Sequence, residues 1–297
     1  MSAPTAPTAT TIVTEALTRK LNGATPAAAL ITRATNYGLE KVKRDIMRIC
    51  RHWEPLRRDY YSSVVEGKTR YSLPSDCETV LSITLLDYTH SGALSAVTDG
   101  DTMVLDATED ATQDEVEGHL MVITSGTGAN QGAIVYDYNS TTKTVELQET
   151  LAVEPDADDE YLIADDYKLL RPQPAIRLDW NPSRFDKGKP SNYIVGPYTG
   201  TADTQYWELL ETPDKTYGVK ITYFADLRRL DTASGLYSTI LRRWADALEQ
   251  GVYAWALGED DDRYEREFQI YIKMLQDLRA RDGYMMDVGD LVRKVIV

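Results

Sequence analysis

Apolar residues near the start of the chain recur at three- and four-residue steps, give way to two-residue alternation in the middle, and return to the helical step near the end. Thr11 to Asn22 reads as a short helix ended by Gly23. Thr25-Pro26 then supplies an N-cap and a proline at the first helical position, opening a helix that runs to about Trp53. Leu30, Ile31, Ala34, Val42, Ile46, Ile49, Cys50 and Trp53 share one face of it. Pro55 ends that helix. Residues 60–73 read as a hairpin turning at Glu66-Gly67 and closed by Leu73-Pro74, and Thr79–Leu86 as a further strand. Four short strands follow, Gly118–Thr124, Ala133–Tyr138, Thr144–Leu147 and Glu160–Ile163, whose spacing predicts a small sandwich or barrel. Pro- and Gly-rich stretches at Arg171–Pro174, Asn181-Pro182, Gly188–Pro190 and Gly196-Pro197 read as loops. Gln205–Leu210 and Tyr217–Tyr223 form a second hairpin around Thr212-Pro213-Asp214. Two helical stripes close the pattern. Leu236, Ile240, Leu241, Trp244, Leu248, Val252 and Trp255 make the first, broken at Gly258. Tyr264, Phe268, Tyr271, Ile272, Leu275 and Leu278 make the second, which starts acidic at Glu259–Asp262 and ends at Gly283.

These elements predict an α+β protein: a helical bundle body with small antiparallel β-hairpins and an inserted all-β sandwich or barrel. Residues 1–10, rich in Ala, Pro and Thr, read as a disordered tail. The body is expected over 11–97 and 167–283, the insert over 98–166 and a docking arm over 284–297. The arm ends in Leu291, Val292, Val295, Ile296 and Val297. Such a segment is too short to bury its own apolar groups, so either a partner's groove covers them or the arm folds back along its own subunit.

Charge sharpens the division. Residues 98–166 hold 18 Asp and Glu against the single basic residue Lys143, a net −17 in a chain whose total is −15. The remainder, 31 basic against 29 acidic residues, is therefore nearly neutral at +2. A pI near 4.7 argues against nucleic-acid binding over the whole surface, which needs a basic footprint, but permits DNA to slide through an acidic-walled channel. On the first long helix Lys41, Lys43, Arg44, Arg48 and Arg51 lie mostly off the apolar face. Such a face is either simply solvated or meets an acidic or phosphate partner, and Lys41, Arg44, Arg48 and Arg51 are the candidate subunit contacts. Nineteen Tyr against three Phe fits interfaces, where a ring with a polar tip tolerates half-exposure, and equally fits the surface of a β-sheet.

Little of the chain reads as chemistry. Ser125–Gly132, SGTGANQG, resembles a phosphate loop only superficially, since it lacks Gly-Lys-Ser/Thr and leads into the strand AIVYDY rather than a helix. Asp99-Gly100-Asp101 and Asp156–Glu160 offer oxygens to a hard cation without the twelve-residue EF-hand spacing, so solvated acidic loops are the default. Cys50 and Cys77 are expected to be buried thiols, and with His52, His90 and His119 they make no zinc spacing. No nucleophile–base arrangement stands out and no cofactor motif is present, so no enzymatic activity is expected. No signal segment and no run of about 18 apolar residues appears, which predicts neither secretion by a signal nor a membrane span.

Taken in order, a basic amphipathic helix, Tyr60–Asp76 (YYSSVVEGKTRYSLPSD), a strand, Trp207–Leu227 (WELLETPDKTYGVKITYFADL) and two amphipathic helices form a distinctive layout. It resembles the head-to-tail adaptor (connector) proteins of tailed bacteriophages, especially the short-tailed ones. A G-x-x-x-Y-x-LP strand end and a P-D-x-x-Y strand recur in that family, here at Gly67–Pro74 and Pro213–Tyr223. The likeness covers about residues 25–90 and 168–283. The stretch MVITSGTGANQGAIVYDYNSTTKTVEL is similar to a small β-module of phage structural proteins and departs from the minimal adaptors. The resemblance implies a non-enzymatic virion protein at the head–tail interface, assembled in the host cytoplasm. It would form a homo-oligomeric ring of twelve copies below the portal protein, joining the capsid to the nozzle or tail-tube protein. DNA would pass through the lumen without sequence-specific binding, and no membrane is involved. Two alternatives stand beside it: a receptor- or carbohydrate-binding tail component, with Trp180, Tyr193, Tyr198 and Tyr206 as its platform, and a hydrolase whose carboxylates lie among the abundant acids.

Overall fold

The structure, a computed structural model, describes residues 8–49, 56–174, 186–196, 205–227, 235–258 and 261–282. The chain divides into two compact units, Met1–Arg57 with Phe224–Val297, and Arg58–Tyr223.

The first unit is helical and joins the two ends of the chain. Helix α1 (Ala9–Lys20) is capped by Thr8, whose hydroxyl accepts from the Thr11 amide at 3.1 Å, and buries Ile12, Val13, Ala16 and Leu17. It stops where Gly23 takes a left-handed turn at φ +93°. The long helix expected from Thr25-Pro26 starts instead at Ala28, with Ala27 as a cap that offers no side-chain bond. It comprises α2 (Ala28–Arg33), a π-helical segment (Ala34–Leu39) and α3 (Glu40–Ile49). Ala34, Val42 and Ile46 of the expected face are buried, Leu30 and Ile31 are half-buried, and Cys50 and Trp53 lie outside the described residues. Helices α5 (Gly235–Leu257) and α6 (Tyr264–Asp282) complete the unit, with α1 and α6 packed on α5. Gly251 admits the close approach, because a Cβ there would meet Val42 and the Tyr271 ring at 2.8 Å. A polar knot lies in the same unit: Glu267, 3% exposed, accepts from Gln250 and Arg19 and pairs with Arg266.

The second unit holds most of the strands, and here the expected helical bundle with small hairpins is overturned. In chain order the strands are β1 (Arg57–Val64), β2 (Arg70–Ser72), β3 (Cys77–Ala93), β4 (Ala96–Val97), β5 (Thr102–Val104), β6 (Leu120–Ile123), β7 (Gln131–Asn139) and β8 (Thr144–Leu147). They continue as β9 (Glu160–Leu169), β10 (Arg171–Pro172), β11 (Lys187–Gly188), β12 (Asn192–Val195), β13 (Tyr206–Leu209), β14 (Thr212–Pro213) and β15 (Tyr217–Ala225). A single turn of helix, α4 (Gln113–Val116), carries a Thr112–Glu115 capping box. Nine strands form one sheet in the order β1-β15-β3-β9-β6-β7-β8-β5-β4, and β10-β12-β13-β2 form a second. The protein is mostly β, with helices confined largely to its two ends.

Two strands account for the correction. β3 runs for 17 residues and pairs antiparallel with β9 from Thr84↔Leu169 to Ala93↔Glu160. The pair carries register shifts at Asp87, Tyr88 and His90. Those irregularities put polar side chains into the apolar alternation, so β3 reads as if it ended at Leu86. The acidic strands are therefore continuous with the main sheet through β9 and β6 rather than forming a separate sheet. They still gather their own buried cluster, which includes Leu94, Met103, Leu105, Val116, Met121, Val135, Tyr138, Val145, Tyr161 and Ile163.

Both expected hairpins are split. β1 and β15 lie in the nine-stranded sheet, while β2 and β13 lie in the four-stranded one. The chain crosses between the sheets at Val65–Thr69 and again between β13 and β15. The two crossings are tied together, since the Gly67 amide donates to the Pro213 carbonyl at 3.0 Å. Gly67, at φ +77°, makes the first turn possible.

Candidate functional site

Structure sorts the basic helix residues into two groups. Lys43 is buried and donates to Glu40 at 2.8 Å, a pairing internal to the helix. Lys41 and Arg44 are exposed, as are Arg33 and Tyr37, and neither Lys41 nor Arg44 makes an ion pair among the described residues. Arg48 belongs to α3, but its side chain lies outside what is described. Arg51 and the arm residues Leu291, Val292, Val295, Ile296 and Val297 also fall outside the described residues.

A cleft lies where the chain crosses between the two sheets of the second unit. The cleft, of about 390 Å³, is lined by Tyr60, Ser62 and Ile221 from one sheet and by β2, β13 and the turn between β1 and β2 from the other. Two-residue alternation positions it: Tyr60 and Ser62 face the cleft while Tyr61 between them packs on Leu86, Val122 and Leu162. On the other wall β2 and β13 pair Trp207↔Tyr71 and Glu208↔Arg70. The Tyr71 and Trp207 rings stack with centroids 5.2 Å apart. The Tyr71 hydroxyl holds the crossing itself, accepting from the Val65 amide and donating to the Lys68 carbonyl, both at 2.8 Å.

The cations of this cleft are pre-set. Glu208 has no exposed surface and takes Nε and Nη2 of Arg70 on one oxygen at 3.0 and 2.9 Å. That hydrogen bond and the carboxylate's charge raise the already high pKa of Arg70. The guanidinium lies 4.4 Å from the Tyr206 ring centroid, and 54% of the Arg70 side chain stays exposed. Its remaining N–H donors therefore face the cleft in a fixed fork. Lys68 lies 4.9 Å from the Tyr71 ring centroid and makes no ion pair among the described residues. No carboxylate lines the cleft, although the chain is strongly acidic. Arg70, Lys68 and the hydroxyls of Ser62, Ser72, Tyr60 and Tyr206 form a donor set suited to a carboxylate. Sequence reading named Tyr206 for another reason and missed Lys68 and Arg70. The available signal was Glu208, an acid between Trp207 and Leu209 on a strand, which needs a cation when buried.

The glycine-rich loop is a closed counterpart. Asp159, 4% exposed, fills it from within, accepting from the amides of Thr127 (3.2 Å), Gly128 (2.7 Å) and Asp156 (3.2 Å). A Cβ on Gly126 would sit 1.7 Å from the Asp159 carboxylate, and its φ is +84°. The glycines thus serve a close approach to the chain's own carboxylate.

His90, Glu109 and Asp110 place one ligand atom each within 4.8 Å of one another. Glu109 is already satisfied. Its Oε1 accepts from His90 (2.8 Å) and from the Asp110 and Ala111 amides, and its Oε2 accepts from the Tyr161 hydroxyl (2.8 Å). Burial pushes the Glu109 carboxyl up, but the bonds from Tyr161 and His90 outweigh it and hold the group below the usual range. The cluster reads as a buried polar brace of the acidic region rather than a metal centre. Asp99, in the turn between β4 and β5, accepts from the Asp101 and Thr102 amides, which is an ordinary Asx turn.

The structure describes two members of the expected aromatic platform, Tyr193 and Tyr206. Tyr193 is 3% exposed, and burial lifts its pKa to about 12. Tyr206 lies under Arg70, and Trp180 and Tyr198 fall outside the described residues. Cys77 is buried, while Cys50 is outside the described residues. Among the described residues no helix is long and apolar enough to cross a membrane. Comparison with protein-family models and with curated proteins finds no match to this chain.

Proposed function

We propose that the protein is a structural virion component, a head-to-tail adaptor ring bound below a portal protein, joining capsid to tail and enclosing the DNA path. One observation carries the reading. The two segments with the adaptor pattern, Gly67–Pro74 and Pro213–Tyr223, are distant in sequence yet meet backbone to backbone at Gly67 and Pro213. Each turn is also held by a tyrosine of its own segment, Tyr71 on the Val65 amide and Lys68 carbonyl and Tyr217 on Asp214 at 2.7 Å. Two strand ends bound in this way make one structural feature, which supports reading the two segments together. An exposed stripe of Arg33, Lys41 and Arg44 on a chain of net charge −15 further supports docking to an acidic surface.

In this reading the protein has no catalytic role, and its work is done by surfaces. A closed ring requires contacts between different faces of one subunit. Native mass spectrometry of the full chain, alone and mixed with a portal protein, tests the proposal. A discrete high-order species formed with portal is expected. A particle that remains monomeric in both samples refutes it.

A further inference from the structure

We infer that the basic cleft at the two crossings receives the acidic β4–β5–β8 end of a second copy of this chain, as the head-to-tail joint of the ring. This rests on the ring reading above and names the contact that reading requires.

Strand order supplies the first argument. β1, which lines the cleft, is one edge of the nine-stranded sheet, and β4 is the other edge, with seven strands between them. No ladder joins the two edges among the described residues. Asp99 and Asp101 lie in the turn between β4 and β5, Glu146 is on β8 and Glu149 follows it. Asp99, Glu146 and Glu149 are exposed, and none of the four makes an ion pair among the described residues.

Charge and chemistry supply the second. Residues 98–166 carry −17, while the cleft is lined by Lys68 and Arg70 and by no carboxylate. Copies of an acidic chain repel one another unless such a segment is met by cations. The Arg70 fork, held from behind by buried Glu208, is pre-ordered to take one carboxylate bidentately, and Lys68 to take another. The tyrosine and serine hydroxyls among the lining residues suit the backbone of a turn. About 390 Å³ is room for one or two side chains rather than a folded element. Positive cleft on one edge and acidic turn on the other give a heterologous contact, the kind that repeats around a ring.

Zero-length carbodiimide cross-linking of an equimolar mixture of light and isotopically heavy full-length chain tests the joint. Mixed light–heavy cross-links between Lys68 and Asp99, Asp101, Glu146 or Glu149 are expected. Lys187 and Glu66, 2.8 Å apart in one chain, provide the same-chain control. Arg70 is left untouched, because removing it takes the cation away from a fully buried carboxylate. Lys68→Glu weakens self-association roughly tenfold or more. The double change Glu146→Lys with Glu149→Lys does the same, leaving the Asp99 turn bonds intact. Combining all three substitutions in one chain restores association, which structural damage would not do. Rings that cross-link without Lys68, or a charge swap that fails to restore them, overturn this contact and leave the ring reading standing. Lys68 cross-links in dimers that never close into a ring uphold the contact and overturn the ring.

Discussion

Two regions of the second unit, one closed and one open, treat charge in opposite ways. Beside β3 and β9, two buried carboxylates are satisfied from within: Asp159 by three loop amides, Glu109 by His90, Tyr161 and two amides. At the crossing between the sheets, Arg70 stays half exposed beyond its buried partner, and Lys68 lies over an aromatic face with no ion pair among the described residues. Closed sites stabilise the fold, and open ones are available to another molecule. A glycine-rich loop that looks like an anion site is occupied by the chain's own anion, whereas the open cleft carries no anion-binding motif.

Three substitutions sharpen the contrast. Gly126→Ala places a Cβ against the Asp159 carboxylate at a left-handed φ, expelling the internal anion. A loss of roughly 3 kcal/mol is expected, from strain combined with unsatisfied buried groups, read as the urea midpoint. An unchanged midpoint would mean that Asp159 does not organise the loop. Glu109→Gln removes a charged acceptor from His90 and Tyr161 and is expected to cost about 2 kcal/mol at neutral pH. Because the folded carboxyl titrates below its ordinary 4.5, the unfolded chain takes up the proton first. The wild-type protein therefore holds this contribution above that value and loses it as pH falls through the folded value. The variant's urea midpoint should approach that of wild type as the medium is acidified. A difference that stays constant with pH would contradict the assignment. Tyr71→Phe, at the open cleft, removes the hydroxyl that holds Val65 and Lys68 and is expected to cost about 1 kcal/mol. Its larger effect falls on self-association, because Lys68 loses its fixed turn.

How far the sequence reveals this arrangement depends on the range of the interactions. The helices near both ends were legible because Val13, Leu17, Val42, Ile46, Trp244, Leu248 and Leu275 repeat at the helical step and are buried. The turns at Gly67 and Pro213 were legible from glycine and proline. Strand partnership was not. Adjacent strands joined by a tight turn are usually a hairpin, yet β1 and β2 part into different sheets, as do β13 and β15. That outcome depends on Tyr61 packing on Leu86 and Leu162, and on Trp207 on Tyr71, contacts made across the fold. Register shifts hid the second half of β3, and with it the continuity of the acidic strands with the main sheet. The cleft was invisible because Lys68 and Arg70 lie more than 130 residues from Tyr206 and Glu208.

Hydrogen–deuterium exchange of the free and the assembled protein tests the central claim most directly, that the open cleft takes its charge from outside while the closed glycine-rich loop does not. On assembly, amides of Gly67–Ser72 and of Thr98–Thr102 should become protected together. Those of Thr127 and Gly128, already bound to Asp159, should exchange slowly in both states and not change. Protection that leaves both the cleft and the β4–β5 turn untouched, or a change centred on the glycine-rich loop, would contradict it.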